Sequence, residues 1–373
     1  MAAGPLCCEK DHIMIIGHGG NTAGLAEELG CSPDEITDMS ANLNPLGPPE
    51  RIKTVILENL SAIHRLPEPD AGAMKRGFAR FHNIDPDTVI AGSGTTWFIY
   101  TLPRALDAKQ VVILGPTYAD YADACAMHGS APALCMAKAE QGFVPDLEAL
   151  SDMADRADLV FICNPNNPTG VLVEKAFITT LARRHPDVCF VVDESYLPFV
   201  EGASSISLVQ DTAHDNLLVL SSMSKIFTIP GLRTGFLSGA KHLVDKVMHY
   251  YQPWSVNALA QAVVTDIFDH PEQMVPFYEK TRAYIAGEKQ NFLDAVADLE
   301  DIVPVPGHTC FILAQLLHHT APQVCQQVGA DRILIRDCSN FTGLGPRYVR
   351  FSLKDRKTNT ALVRSLQKAL TRG

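Results

Sequence analysis

From about residue 85 the chain alternates short apolar runs with stretches of helical periodicity. The runs Thr88–Ala91, Val111–Leu114, Leu159–Cys163, Cys189–Val192, Asn216–Leu220 and Thr234–Ser238 are mostly continuous in apolar residues, as strands covered on both faces are. This alternation predicts α/β layering around a mostly parallel sheet. The stretch from Pro271 to Leu299 predicts one extended helix leaving that unit. Beyond it, strand-like segments at Asp301–Val305, Thr309–Ala314, Arg332–Ile335 and Tyr348–Leu353, and a closing helix from about Asn359, predict a smaller α+β unit. The expected division is an N-terminal arm over 1–50, a large domain over 51–270 and a small C-terminal domain over 271–373. No Ser/Gly-rich linker separates the parts, so they should pack closely and share a cleft.

Composition narrows the field. The chain has 373 residues, 46% of them hydrophobic and 20% charged, values typical of a folded globular protein. The longest apolar runs, such as Leu159–Cys163 and Val188–Val192, fall far short of the roughly 20 residues a membrane-spanning helix needs. A net charge of −11 argues against a partner such as nucleic acid or an anionic lipid surface, which a basic face would bind. Any phosphate must therefore be met locally. Ten cysteines without a Cys-x-x-Cys pair read as reduced thiols, and Glu9, Lys10, Asp11 and His12 interrupt the place of a signal-peptide apolar core. Both point to a cytoplasmic protein, with Cys7-Cys8 in a terminal arm.

Four motifs follow predicted strands. Ala91-Gly92-Ser93-Gly94-Thr95-Thr96 is a strand, a glycine turn and a helix start, whose free N–H groups favour a phosphate; a dinucleotide fingerprint would need a further glycine that is absent. Asn164-Pro165-Asn166-Asn167-Pro168-Thr169-Gly170 reads either as turn chemistry or as a rigid turn presenting an amide to a cofactor hydroxyl. Asp193, at the end of Val191-Val192-Asp193-Glu194-Ser195-Tyr196, either caps the next element or holds a heteroaromatic nitrogen protonated, as pyridoxal 5'-phosphate (PLP) requires. Ser222-Met223-Ser224-Lys225, with Pro230-Gly231-Leu232-Arg233 after it, places a lysine eight residues before an arginine. These are two solvated cations around a turn, or a Schiff-base lysine beside a phosphate site.

In this order, and with Pro116-Thr117-Tyr118, the motifs resemble those of the PLP-dependent enzymes of the aspartate-aminotransferase fold over nearly the whole chain. The resemblance implies a large domain with a mostly parallel central sheet, a smaller α+β domain, PLP as cofactor and a homodimer. It implies further that Lys225 carries the cofactor, Asp193 pairs with the pyridine nitrogen, Asn167 and Tyr196 meet the ring hydroxyl, and Tyr118 stacks on the ring. Gly94, Thr95, Ser222, Ser224 and Arg233 would hold the cofactor phosphate.

Two branches of the family share Asn44-Pro45-Leu46-Gly47-Pro48: the histidinol-phosphate aminotransferases and the L-threonine-O-3-phosphate decarboxylases of cobalamin biosynthesis. The leader His18-Gly19-Gly20-Asn21, the run Ser40-Ala41-Asn42-Leu43-Asn44, Ile229-Pro230-Gly231-Leu232-Arg233, Pro253-Trp254-Ser255-Val256-Asn257 and Ile333-Leu334-Ile335-Arg336-Asp337-Cys338-Ser339-Asn340 are similar to the decarboxylases. That similarity implies a phospho-amino acid substrate, its phosphate bound by His18, Gly19 and Arg336 and its carboxylate by Arg350, with Asn42 and Asn167 lining the site. The expected product is (R)-1-amino-2-propanol O-2-phosphate. Decarboxylation of L-serine O-phosphate to ethanolamine phosphate and a histidinol-phosphate-type transamination are the alternatives; a PLP-binding regulator would need a DNA-binding region that the chain does not show. One position departs from the family pattern: Leu66 stands where a tyrosine usually reaches the cofactor phosphate of the partner subunit.

Overall fold

The computed structural model describes residues 19–211 and 214–371, so His18 and Cys7-Cys8 lie outside the described residues. After a two-residue strand, Thr37–Asp38 (β1), seven strands build the large sheet: Val89–Gly92 (β2), Val111–Gly115 (β3), Ala133–Met136 (β4), Leu159–Cys163 (β5), Cys189–Asp193 (β6), Leu217–Ser222 (β7) and Gly235–Gly239 (β8). Their spatial order is β2-β8-β7-β6-β5-β3-β4. Only β8 runs against the rest, so its N-terminal end shares an edge with the C-terminal ends of the others.

The continuous apolar runs have a simple cause. Leu159, Phe161 and Cys163 pack on one face with Cys189 and Val191, while Val160, Ile162, Phe190 and Val192 pack on the other. Both faces are dry, so alternation with polar residues would bury unpaired polar groups.

Three strands start one residue later than the sequence suggests. Thr88 closes a capped turn on Asp85, and Asn216 spends its amide on the carbonyls of Ala182, His185 and Val188. Thr234 likewise precedes β8. Strand β4 escapes sequence reading because Ala-Leu-Cys-Met lacks β-branched residues and is only partly buried; pairing with β3 recruits it.

A 26-residue helix, Pro271–Val296, about 39 Å long at 1.5 Å per residue, leads into the small unit. There Ile302–Pro304 (β9), Phe311–Leu316 (β10), Ile333–Leu334 (β11), Arg336–Asp337 (β12) and Tyr348–Ser352 (β13) follow. Strands β12-β13-β10-β9 form an antiparallel sheet. The single strand expected over Arg332–Ile335 is corrected by this arrangement. Strand β1 claims β11 in parallel, Thr37 opposite Ile333 and Asp38 opposite Leu334, and the chain then switches partners so that β12 pairs with β13. The closing helix begins at Arg356 rather than Asn359, because the Asp355 carboxylate accepts from Thr358 N at 3.0 Å and caps the earlier turn. Asn359 is instead buried, donating to Glu288 at 2.8 Å.

Candidate active site

The first corner of the site is built from backbone. Gly94 has φ +82° and ψ 162°, a conformation essentially restricted to glycine. It opens the helix Thr95–Ala105, whose N-terminus has no side-chain cap, so its first N–H groups are available to an anion. A Cβ on Gly94 would stand 2.7 Å from Arg233 Nη2, and one on Gly235 would stand 2.7 Å from Thr95 N. Arg233 thus leans directly over the glycine turn. Ser222 and Ser224 are buried beside it, Ser224 N donating to Ser222 Oγ at 3.3 Å.

Asp193 ends β6 on the face shared with Phe161 and Cys163. Its two oxygens accept from Ser195 N at 2.9 Å and from Tyr121 Oη at 2.8 Å. Burial pushes the carboxyl above its ordinary range, opposed by those hydrogen bonds. Among the described residues no cation lies within ion-pair distance of it, the Lys225 charge acting only from further off, so a cationic partner would relieve a desolvated charge. Lys225 follows β7 by three residues. Desolvation first, then the Arg233 and Arg350 charges, lower its pKa and favour the neutral, nucleophilic amine.

The four-stranded sheet supplies the opposite wall. Arg336 and Arg350 are cross-strand partners on β12 and β13. Arg350 is 5% exposed; its Nη1 donates to Asn167 Oδ1, its Nη2 to Ser40 O at 2.8 Å, and its Nε is buried without a partner. Arg336 donates to Asn340 Oδ1 at 2.7 Å and lies 5.2 Å from the Phe341 ring centroid. Asn42 joins Tyr196 to the sheet, donating to the phenol at 3.2 Å and accepting from Ser352 Oγ at 2.9 Å.

Gly19, Asn42, Thr95, Tyr118, Asn167, Asp193, Tyr196, Lys225, Arg336 and Arg350 line one cavity of about 470 Å³. Gly94 and Arg233 flank it through Thr95, whereas the hydroxyls of Ser222 and Ser224 bond to nearby backbone. Tyr121, Asp38 and Ser40 also line it; the sequence assigns no role to Tyr121 or Asp38, and Ser40 enters only as the first residue of a motif. Tyr121 was findable: it lies three residues after Tyr118, and the parity of β6 puts Asp193 on its face.

The aminotransferase class I and II family model matches residues 34–366. The chain belongs to that family. It is 31% identical to the threonine-phosphate decarboxylase of Salmonella typhimurium over 95% of this chain and 96% of that one. The histidinol-phosphate aminotransferase of Methanocaldococcus jannaschii is 27% identical, over 90% of this chain and 89% of its own. Among solved structures, the L-threonine-O-3-phosphate decarboxylase from Porphyromonas gingivalis aligns with TM-score 0.81 at 29% identity, over 90% of this chain and 100% of that one. The fold is aspartate-aminotransferase-like, and the chain is a PLP-dependent enzyme. The residues present fit that cofactor: a glycine turn under an arginine for a phosphate, a carboxylate lacking a cation for a pyridinium, and a depressed lysine for a carbonyl.

Proposed function

We propose that the protein decarboxylates L-threonine O-3-phosphate to (R)-1-amino-2-propanol O-2-phosphate, as a cytoplasmic homodimer. The observation that supports this most is the pair Arg336 and Arg350, two cations opposite each other with no acid partner among the described residues. Such a pair suits a ligand carrying two anionic groups. The likeness to threonine-phosphate decarboxylases over almost the full chain supports the same substrate.

When bound, PLP supplies an electron sink for the pair left on Cα as a substituent departs. Lys225 would hold the cofactor's carbonyl carbon. Asp193, fixed by Tyr121 and Ser195, would keep a proton on the pyridine nitrogen. Tyr118 would pack on the ring, Tyr196 and Asn167 would bind its hydroxyl, and Gly94, Thr95, Ser222, Ser224 and Arg233 would hold its phosphate. Arg350 takes the substrate carboxylate; Arg336 and Gly19, with His18, take its phosphate. A substrate pinned at both ends cannot turn about its Cα–N bond, so these side chains choose which bond breaks.

The homodimer is supported by Leu57, Leu60, Ile63 and Leu66, which are 68%, 47%, 64% and 76% exposed, and by Trp254, 51% exposed. Trp254 N donates to Pro69 O at 2.9 Å, which joins the two segments. A second copy covering this apolar face would bring Leu66 to the interface.

The test offers purified enzyme two substrates: phosphothreonine alone, and histidinol phosphate with 2-oxoglutarate. Release of CO₂ from the first and negligible glutamate from the second is expected. Efficient glutamate formation without CO₂ release would replace this reading with the aminotransferase.

A further inference from the structure

Ser40 is 1% exposed and sits at a junction. One oxygen of Asp38, Oδ1, accepts from Ser40 Oγ at 2.7 Å, Ser40 N at 2.8 Å and Ala41 N at 3.1 Å. An ionised carboxylate only accepts, so the Ser40 proton is committed to Asp38. The hydroxyl oxygen is left to accept, and Gly20 N donates to it at 2.7 Å. Meanwhile the Ser40 carbonyl accepts from Arg350 Nη2 at 2.8 Å. A Cβ on Gly19 would stand 2.5 Å from the same carbonyl oxygen, so the Gly19–Gly20 turn lies flat against it. Asp38 also pairs with Leu334, two residues before Arg336.

Three elements that would grip a phospho-amino acid therefore meet at residues 38–40: the glycine turn, Arg350 and the strand leading to Arg336. We propose that Asp38, acting through Ser40, is a positioning residue that fixes the spacing between the carboxylate and phosphate ends of the substrate site. This rests on the phospho-amino acid reading above. Asp38 lines the cavity, but its Oδ1 is taken up by Ser40 and Ala41. It holds the peptide whose carbonyl aims Arg350 and whose hydroxyl tethers the turn. Backbone pairing of this arm does not depend on the carboxylate, since Met39 N still bonds to Leu334 O at 2.8 Å and Ser352 N to Met39 O at 2.7 Å. Removing the carboxylate should loosen the spacing without detaching the arm.

A ligand that bridges both ends feels a wrong spacing; a ligand that occupies one end does not. The experiment measures equilibrium dissociation constants of phosphothreonine and inorganic phosphate by calorimetry on the holoenzyme, together with KM and kcat. Asp38→Ala should weaken phosphothreonine roughly tenfold or more while inorganic phosphate changes less than about threefold, the loss appearing in KM rather than kcat. Asp38→Asn keeps an acceptor for the same donors and should recover phosphothreonine binding. Ser40→Ala, which removes the hydroxyl that links Asp38 to Gly20 and leaves the carboxylate on Ser40 N and Ala41 N, carries the same expectation if Asp38→Ala does not fold. Equal weakening of both ligands, no weakening of phosphothreonine, or an Asn variant as poor as Ala would overturn the proposal. If the wild type binds phosphothreonine without releasing CO₂, the decarboxylase reading fails while the ratio of the two constants still decides the positioning role. A wild type that does not bind phosphothreonine overturns both.

Discussion

Arg336 and Arg350 occupy opposed positions on β12 and β13, cross-strand neighbours of like charge. Like charges placed directly opposite destabilise a sheet by up to about 1 kcal/mol, and neither arginine is in an ion pair with a described acid, Asp337 acting on Arg336 only from further off. An added dianion should relieve that strain. Inorganic phosphate is expected to raise the melting temperature of the wild type, by as much as about 2.7 kcal/mol of stabilisation at one hundred times its dissociation constant. Arg336→Gln should shrink that rise clearly, because the bidentate fork is lost. A calorimetric shift equal in both proteins would remove Arg336 from the anion site.

Lys225 is the proposed attachment point, and chemistry can check it. Burial and two neighbouring arginines depress its pKa, so its amine is nucleophilic at lower pH than an ordinary lysine. Borohydride reduction of the holoenzyme followed by peptide mapping should place the pyridoxyl group on Lys225, and Lys225→Ala should lose nearly all turnover. A label on Lys289, whose pKa burial also depresses, to about 8, would contradict the assignment.

Tyr121 supplies one of the hydrogen bonds that hold down the pKa of Asp193 against burial. Tyr121→Phe should raise that pKa further, weaken the hold on a pyridinium proton and lower kcat about tenfold, the usual worth of a hydrogen bond to a charged group. Asp193→Asn should cost far more. If both variants turn over like the wild type, Asp193 is structural.

Glu194 is buried behind the site, accepting from Ser207 Oγ at 2.6 Å and Leu208 N at 2.7 Å. Burial pushes its pKa up from 4.5 to about 7. Between those values the native state binds more protons than the unfolded chain, so stability falls as pH rises through the window. Glu194→Gln should flatten the dependence of melting temperature on pH between about 4.5 and 7. An unchanged slope would show that Glu194 is already ionised at low pH.

The site was legible in the sequence wherever one strand end carried the signal. Asp193, Asn167 and Lys225 each follow a continuous apolar run, and the glycine turn before Thr95 announces itself by composition. What could not be read were contacts set by chain crossings. Asn167 meets Arg350 across 183 residues, and Ser40 meets Arg350 across 310. Arg336 and Arg350 read as lying on neighbouring strands, which the pairing of β12 with β13 bears out, but their direct opposition was not legible while 332–335 looked like one strand, because the break at Ile335 is imposed by β1. Edge strand β4 was missed for a local reason: its four residues carry no β-branched side chain.

The reaction outcome itself is the most direct test. Holoenzyme is incubated with L-threonine O-3-phosphate, and CO₂ is counted against oxo-acid product and pyridoxamine phosphate, for the wild type and for Arg350→Lys. Near-complete partitioning to CO₂ and aminopropanol phosphate is expected for the wild type. Arg350→Lys should lower decarboxylation by roughly 30-fold or more and shift the remaining events toward transamination. Transamination dominating in the wild type, or a partition untouched by Arg350→Lys, would contradict a site in which this arginine holds the carboxylate and so selects the bond that breaks.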